Sequence, residues 1–436
     1  MTTQPHETTR PHGTTQDHDL LTSLTGELYQ RLAAADSALA QQFPGERPSR
    51  QPVHTVYVPA DRVTADLVPQ WGREALAALD EHGGDDAFAE AVGLAPELSD
   101  EVERRVRAKL AAEPIEDLRV DFEDGYGARP DADEDAAVQA AVAALREASG
   151  RGSGAPFTGI RFKSFEAPTR ARGIRTLVGF VSAIADRENG TLPTGFVVTL
   201  PKVTSVEQVE AMVVACERIE QSLGLEPGAV QFEIQVETPQ SILGPDGTAL
   251  VARMVHASAG RCMGLHYGTY DYSASLGIAA AYQSMEHPGA DHAKAVMQVA
   301  AAGTGVRLSD GSTNILPVGP TERVRAAWAL HARLVRRSLE RGYYQGWDLH
   351  PAQLPSRYAA TYAFFREGLP SAAERLRNYV GQVDAGVMDE PATARALSDF
   401  IVRGLDCGAV DETEVKELTG LDRAAIDVLA RRRAPA

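Results

Sequence analysis

The chain has 436 residues, of which 44% are hydrophobic and 24% are charged. This composition is typical of globular proteins, and the length suits one large domain with appendages or two to three ordinary domains. The formal net charge of −17 argues against nucleic acid or an anionic membrane surface as a partner. The three cysteines lie far apart, and no apolar run reaches the roughly 18 residues of a membrane span. We therefore expect a cytoplasmic protein without disulfides or transmembrane segments.

The first 52 residues are predicted to precede the main domain. Residues 1–19 are rich in Thr, His, Pro and Gln and offer almost nothing to bury, which predicts a disordered tail. Across residues 20–43 the apolar positions recur at helical spacing, and a proline-rich connector follows. Residues 20–52 are therefore predicted to form an N-terminal helix and its connector.

From residue 53 onward, short apolar runs alternate with helix-like segments. The predicted strands are 53–58, 118–122, 158–162, 195–200, 232–236, 262–265, 314–318 and 346–350. Eight strands separated by helices are typical of the (β/α)8 TIM barrel, an α/β fold. We predict this barrel over residues 53–353, with an N-terminal helical extension and a C-terminal helical region over residues 354–436.

Two carboxylates mark the strongest functional pattern in the chain. Glu237 follows the fifth predicted strand, Asp271 follows the sixth, and a helix-like segment over residues 241–257 lies between them. This βαβ pattern places both residues at the carboxyl ends of neighbouring parallel strands, where barrels of this kind have their active sites. Mg²⁺ prefers such oxygen ligands and leaves its other positions to water and substrate. We predict a metal site here; the alternative is that Glu237 caps a helix and Asp271 begins a loop.

Other ionisable groups follow neighbouring strands. Glu123 and Asp124 come directly after the second strand, where a buried charge needs a partner such as a cation. Arg161, at the third strand, has a planar guanidinium that can hold a carboxylate by two hydrogen bonds, with a structural salt bridge as the alternative. His266 lies near the end of the sixth predicted strand, which is expected to point at the metal site. It is therefore a candidate general acid or base, with a satisfied core histidine as the alternative.

Seven motifs occur in a defined order along the chain. They are YVPADR (57–62), VDFEDGYGAR (120–129), IRFKS (160–164), LPKV (200–203), QVETPQSI (235–242), GTYDYSASLG (268–277) and LHPAQ (349–353), and GVMDEPATARA (386–396) follows them. As a set they resemble the HpcH/HpaI aldolase and citrate lyase β-subunit family. That family is part of the pyruvate/phosphoenolpyruvate barrel superfamily, which also includes malate synthase.

The resemblance implies a role for the three residues at the centre of the site. Glu237 and Asp271 match the family's Mg²⁺ ligands, with Mn²⁺ as an alternative cation. Arg161 matches the arginine that holds the carboxylate and the developing enolate oxygen of a pyruvate-type or acyl-type substrate. A small carboxylic acid is thus the implied substrate, and a homo-oligomer, a trimer or hexamer, is the implied assembly.

Further residues are carried over from the same motifs. Glu123 and Asp124 match an acidic pair beneath the metal-bound waters, and Lys202 matches a lysine at the fourth strand end. Gly268 and Thr269 begin the motif that contains Asp271 and are expected to contact the substrate.

Three functions are compatible with these residues. The first is a Mg²⁺-dependent carbon–carbon lyase or aldolase that acts on a small oxo- or hydroxy-acid through an enolate. GWDLHP (346–351), GTYDY and VDFED lie closer to malate synthase patterns, so the second is a Claisen-type enzyme that joins or releases an acyl-CoA and glyoxylate. The third is a non-catalytic metabolite-binding barrel, which the presence of Glu237, Asp271 and Arg161 argues against.

Overall fold

The computed structural model describes residues 15–84, 86–186, 189–381 and 390–430. The chain divides into two compact units, Met1–Pro44 and Gly45–Ala436. The first unit contains helix α1 (Thr15–Gln42). Of the predicted disordered tail, residues 1–14 lie outside the described residues, whereas residues 15–19 are helical. His18 and Asp19 are exposed, and exposed helix positions tolerate such polar residues, so the helix begins before its first leucine.

The second unit is built around a barrel of parallel strands. The strands described are β1 (His54–Pro59), β2 (Asp117–Asp121), β3 (Phe157–Arg161), β4 (Phe196–Leu200), β5 (Phe232–Val236), β6 (Cys262–Tyr267), β7 (Arg307–Ser309) and β8 (Gly346–Asp348). They pair in the order β7-β6-β5-β4-β3-β2-β1-β8. A parallel bridge between Ser309 and Gln345, with a 2.8 Å hydrogen bond from the Asp310 amide to the Gln345 carbonyl, joins the two ends. The predicted (β/α)8 barrel is confirmed.

The seventh strand lies elsewhere than predicted. Strand β7 covers Arg307–Ser309 and pairs with β6, whereas the predicted segment 314–318 is a loop. In that loop Ile315 and Val318 are 50% and 39% exposed, so their apolar character does not reflect burial. A three-residue strand that begins with arginine and ends with serine has no hydrophobic run to reveal it.

Helices connect the strands and continue after the barrel. They are α2 (Leu67–His82), α3 (Ala87–Val92), α4 (Pro96–Ala112), α5 (Asp131–Gly150), α6 (Arg170–Ile184), α7 (Val206–Leu223), α8 (Pro239–Ile242), α9 (Leu250–Ala257), α10 (Thr269–Ser275), α11 (Pro288–Ala301), α12 (Thr321–Glu340), α13 (Leu354–Gly381), α14 (Pro391–Cys407), α15 (Glu412–Thr419) and α16 (Arg423–Leu429). Within the described ranges, none of them combines the length and apolar character needed to span a bilayer.

One helical prediction changed. The segment 241–257 is not one helix, because Gly244, Pro245 and Gly247 separate α8 from α9. The tight turn that they form is closed by a 2.9 Å hydrogen bond from the Gly244 amide to the Thr248 carbonyl.

In the C-terminal region, α13 packs against α4, α12 and α14 of the same chain. Residues 386–389 of the C-terminal motif lie outside the described residues. The predicted homo-oligomer stays a prediction.

The two faces of the barrel strands carry different kinds of side chain. Side chains that face the helices are apolar and buried, such as Val56, Val120 and Ile234. Side chains that face the barrel interior are largely polar. Among them, Arg119 on β2 is 2% exposed and donates to Glu233 at 3.3 and 3.2 Å. Alternation of this kind makes the strands readable from sequence, and it leaves a polar interior beneath the strand ends.

Candidate active site

Glu237 lies at the carboxyl end of β5 and is only 2% exposed. Its Oε1 accepts a 2.7 Å hydrogen bond from the backbone N–H of Lys202. Burial raises the pKa of Glu237 to about 8; the cations of Lys202 and Arg161 oppose this, and the negative charge of Asp271 adds to it. A buried carboxylate whose charge is disfavoured by a second carboxylate is one that a divalent cation would stabilise.

Gly268 makes room for this carboxylate. A Cβ atom at position 268 would lie 2.6 Å from the Cβ and 3.0 Å from the Oε2 of Glu237. Such a contact is far shorter than van der Waals distance, so the close approach of β6 to β5 requires glycine here. The predicted substrate contact of Gly268 stays a prediction; the role visible in the structure is to admit Glu237.

Asp271 enters the site from a helix rather than from a loop. Helix α10 begins directly after β6, and Asp271 lies in its first turn with its side chain 49% exposed. Thr269, the first residue of α10, is 2% exposed, and its Oγ1 has no hydrogen-bond partner among the described residues. Asp271 is thus presented at the barrel mouth, whereas the Thr269 hydroxyl is buried against Gly311, and its predicted substrate contact stays a prediction.

Lys202 connects the carboxylates of three strand ends. Its Nζ lies 2.5 Å from Glu123 Oε1, 2.9 Å from both carboxylate oxygens of Asp124, and 3.8 Å from Asp271 Oδ2. Its backbone has a φ of +51°. A non-glycine residue in this region costs on the order of 1–3 kcal/mol, which the surrounding contacts must offset. The strained backbone lets one residue direct its N–H to Glu237 and its ammonium to the other carboxylates.

The ionisation of this group follows from its contacts. Burial opposes the charge of Lys202, but hydrogen bonds to Glu123 and Asp124 raise its pKa above the usual value. Burial raises the pKa of Glu123. Burial also acts on Asp124, but hydrogen bonds with Glu123 and Lys202 outweigh it and lower the pKa of that carboxyl. At neutral pH the lysine is therefore a cation and a hydrogen-bond donor.

Arg161 is buried at the end of β3 in a fixed orientation. Its Nε and Nη2 donate to the two oxygens of Asp121 at 2.7 and 2.8 Å. Its guanidinium carbon lies 4.7 Å from the centroid of the Tyr57 ring and 5.4 Å from that of Trp347. The remaining Nη1 faces Glu123 Oε2 at 3.6 Å. The salt bridge considered as an alternative is thus present, and it orients the arginine toward the carboxylates of the site.

Asp121 is a site residue that sequence reasoning did not select. Besides Arg161, it accepts hydrogen bonds from the backbone N–H groups of Glu123 at 3.0 Å and Gly125 at 2.9 Å. It therefore holds both the arginine and the loop that carries the acidic pair. In the sequence, Asp121 is the first acidic residue of the VDFED motif. The signal that could have identified it is an aspartate at an inward-facing strand position, with an arginine at the paired position of the next strand.

His266 is not brought to the strand-end group. It is 3% exposed, and its Nε2 lies 2.8 Å from Glu233 Oε2 in the barrel interior. Its register partner on β5 is Gln235, two residues before Glu237. The predicted general acid or base is therefore directed toward the amino-terminal half of the barrel, away from Glu237.

One family model matches most of the chain. Residues 32–434 match the family model described as a domain of unknown function, DUF6986. The chain belongs to this family. No curated protein matches the chain.

Solved structures are similar to this DUF6986 member in fold. A citrate lyase from Burkholderia xenovorans LB400 has 18% identity and a TM-score of 0.57, covering 86% of this chain and 98% of that one. A citrate lyase β subunit from M. tuberculosis, complexed with oxaloacetate and magnesium, has 18% identity and a TM-score of 0.42, with coverage of 72% and 97%. A malate synthase from Haloferax volcanii has 14% identity and a TM-score of 0.46, with coverage of 88% and 99%. These likenesses concern the barrel fold.

The donor set at the barrel mouth of this DUF6986 chain fits a hard divalent cation. Glu237 and Asp271 supply carboxylate oxygens from adjacent strand ends, and their mutual repulsion is what such an ion would relieve. In the described part of the chain, no group of three or more His, Cys, Asp and Glu side chains is arranged to hold a metal. A cation held by this pair would therefore take its other ligands from water and substrate, as Mg²⁺ commonly does.

Proposed function

We propose that this protein is a Mg²⁺-dependent carbon–carbon lyase, of the aldolase or citrate lyase kind, that acts on a small oxo- or hydroxy-acid. The observation that carries the proposal is the buried Glu237 beside Asp271, with Lys202 and Arg161 fixed around them. The ordered motifs, their likeness to the HpcH/HpaI and citrate lyase β-subunit family, and the fold shared with a citrate lyase all support it.

Glu237 and Asp271 would hold the ion. Bound there, Mg²⁺ would polarise the substrate carbonyl and stabilise the negative charge that an enolate oxygen acquires when the adjacent carbon–carbon bond breaks. Glu237 is aligned for this by the Lys202 N–H, and Gly268 gives it the space it needs. Both contacts fix the carboxylate before any ligand arrives, which reduces the cost of ordering it.

Arg161 would hold the substrate carboxylate. Burial opposes its charge, but the Asp121 carboxylate raises its pKa, so the guanidinium stays cationic at any working pH. The rings of Tyr57 and Trp347 lie against the guanidinium, and two hydrogen bonds to Asp121 orient it. Lys202, a cation with its ammonium among Glu123, Asp124 and Asp271, would donate a hydrogen bond to an anionic substrate oxygen.

A second candidate is the Claisen-type reaction that joins or releases an acyl-CoA and glyoxylate. Trp347 favours it, because this residue belongs to the malate synthase-like GWDLHP motif and lies directly over Arg161. Both reactions pass through an enolate at the same strand ends. They differ in whether a CoA thioester is required.

Proton NMR in D₂O tests both candidates in one experiment. The purified protein is incubated with Mg²⁺ and a panel of oxo- and hydroxy-acids, with and without acetyl-CoA, and cleavage and α-proton exchange are followed. Glu237→Gln is the site variant, and Glu210→Gln, on an exposed face of α7, is the matched control.

We expect metal-dependent cleavage or exchange in the wild type and in Glu210→Gln, and none in Glu237→Gln. Exchange that requires the CoA thioester would select the Claisen-type reaction. Exchange that survives in Glu237→Gln would contradict the assignment of the site. Absence of exchange with every acid would contradict both enolate reactions and favour a metabolite-binding barrel.

A further inference from the structure

Helix α1 carries an exposed apolar surface. Each residue from 18 to 43 is exposed, and eight of them are large and apolar, with exposures between 41% and 74%. They are Leu20, Leu21, Leu24, Leu28, Tyr29, Leu32, Leu39 and Phe43. Gly26, in the middle of the helix, lowers its intrinsic helical stability. A helix of this kind is stabilised chiefly by packing of its apolar face, so α1 requires a partner surface.

The apolar residues follow a seven-residue repeat. In the heptad notation abcdefg, the d and a positions alternate and form a seam in the order Leu21, Thr25, Leu28, Leu32, Ala35 and Leu39. Leu24 falls at position g, and Tyr29 and Phe43 fall at position e, so these three residues flank the seam. The b, c and f positions, apart from Leu20, are small or polar. A largely apolar seam of this period is typical of a coiled coil.

Charges beside the seam favour a parallel pair of identical helices. In such a pair, position g of one helix faces position e of the other, five residues further along. Arg31 at g then faces Asp36 of the second copy at e, and the symmetry forms this ion pair twice. Leu24 likewise faces Tyr29 of the second copy. An antiparallel pair would bring g positions together and place the two Arg31 side chains beside each other.

The charge of α1 argues against a membrane surface as the occupant. Arg31 is the sole Lys or Arg between residues 15 and 43, whereas four residues in that range are acidic. A helix that lies on a membrane surface is usually rich in Lys and Arg on its polar face. A protein partner therefore suits this helix better than a lipid surface.

The exposed area is sufficient for a dimer. At roughly 200 Å² for each fully exposed large side chain, the seven large apolar residues at the a, d, e and g positions offer about 750 Å² per copy. One partner of a stable protein interface buries about 800 Å². The small and polar residues of the seam supply the remainder.

We propose that α1 binds α1 of a second copy of this chain as a parallel two-stranded coiled coil. The leucines at positions 21, 28, 32 and 39 meet across the two helices and exclude water, which drives the association. Thr25, a β-branched residue at position a between leucines at d, favours two strands over three. The Arg31–Asp36 pairs fix the register and the orientation. No residue of the strand-end carboxylate group takes part, so the pairing does not depend on the proposed activity.

Light scattering coupled to size-exclusion chromatography of the full-length protein tests the pairing. Leu28→Asp/Leu32→Asp places two charges in the seam, and Gln30→Asp/Ala33→Asp places the same charges at positions f and b of the same helix. At equal protein concentration, we expect the seam variant to have half the mass of the wild type and the control variant to keep the wild-type mass. This ratio holds whether or not the barrels also associate. Thermal unfolding followed by circular dichroism checks that both variants are folded.

Cysteine cross-linking tests the orientation. The native cysteines Cys216, Cys262 and Cys407 are buried, so an introduced cysteine is the reactive one. Leu28→Cys, at position d, meets its counterpart in a parallel pair, and mild oxidation should give a covalent dimer on a non-reducing gel. Ser23→Cys, at position f, points away from the seam and should not cross-link.

A charge exchange tests the ion pairs. Arg31→Glu turns both pairs into repulsive contacts, so we expect the dissociation constant of the dimer to rise about tenfold. Arg31→Glu/Asp36→Lys restores opposite charges at g and e and should restore the wild-type value. Sedimentation equilibrium measures all three proteins.

Four results would overturn the proposal. A folded seam variant with the wild-type mass would show that α1 does not pair, and a threefold difference in mass would contradict the two-stranded form. Cross-linking in a mixture of Leu28→Cys and Leu32→Cys proteins, without cross-linking of Leu28→Cys alone, would show an antiparallel pair. Failure of the double charge exchange to restore the affinity would exclude the contact between Arg31 and Asp36.

Discussion

Replacing Glu237 by glutamine is expected to stabilise the metal-free protein at neutral and alkaline pH. The side chain is buried, and its pKa is raised from an ordinary 4.5 to about 8. The folded state therefore holds this proton more tightly than the unfolded chain. The resulting stability is fully present below about pH 4.5 and is lost as the pH rises through 8. Glutamine keeps the shape and the acceptor for the Lys202 N–H, and it never ionises.

The size of the effect follows from the shift. With pKa values of about 8 folded and 4.5 unfolded, the wild type loses about 2.5 kcal/mol of this contribution between pH 5 and pH 7. Above pH 9 the total loss approaches about 5 kcal/mol. The variant lacks this loss, so the difference in unfolding free energy between the two proteins must grow with pH.

Urea denaturation at pH 5, 6, 7 and 8 in EDTA measures this difference. Glu210→Gln serves as the control for removal of a carboxylate from an exposed helix face. Parallel stability profiles for the wild type and Glu237→Gln would refute the reasoning, because they would mean that Glu237 is not held in a charge-disfavouring environment. Adding Mg²⁺ should raise the stability of the wild type and leave that of the variant unchanged.

Three further substitutions test the contacts of the site. Gly268→Ala places a Cβ 2.6 Å from that of Glu237, so we expect a loss of about 1–3 kcal/mol in unfolding free energy and at least tenfold weaker Mg²⁺ binding by calorimetry. Asp121→Asn leaves the buried Arg161 without its carboxylate, and denaturation should show a loss of about 3–5 kcal/mol. Lys202→Met removes a cation from the site and keeps its backbone N–H, so calorimetry should show at least fivefold tighter Mg²⁺ binding together with lower turnover.

For each of these three substitutions, a specific result would contradict the proposed contact. Gly179→Ala, where a Cβ meets only Val138 at 3.8 Å, is the control for adding a methyl group, and an equal effect at both glycines would remove the steric argument. A loss below about 1 kcal/mol for Asp121→Asn would mean that Arg161 is not held by this pair. Weaker Mg²⁺ binding in Lys202→Met would show that the lysine helps to hold the ion.

The barrel and its acidic strand ends were readable from the sequence for a physical reason. Outward strand positions pack against helices and must be apolar, so most strands appear as short hydrophobic runs between amphipathic segments. Functional groups of a parallel barrel collect where those runs end, which pointed to Glu237, Asp271, Arg161 and the acidic pair after β2. The structure brings these residues, with Lys202, to one mouth.

What the sequence did not reveal depends on partners distant in the chain. Asp121 is one acidic residue among several in its motif until Arg161 is seen to donate two hydrogen bonds to it. His266 was expected to face the metal site, but Glu233 draws it into the interior. The positive φ of Lys202 has no local signal, since glycine is the residue usual there.

The most direct test of the central claim is solvent-proton relaxation with Mn²⁺ as the probe ion. If Glu237 and Asp271 hold one cation that shares its remaining positions with water and substrate, the wild type should enhance the relaxation rate. Adding an oxo-acid should then lower the enhancement as water is displaced, and Glu237→Gln and Asp271→Asn should abolish it. Equal enhancement in all three proteins would place the ion elsewhere and contradict the account.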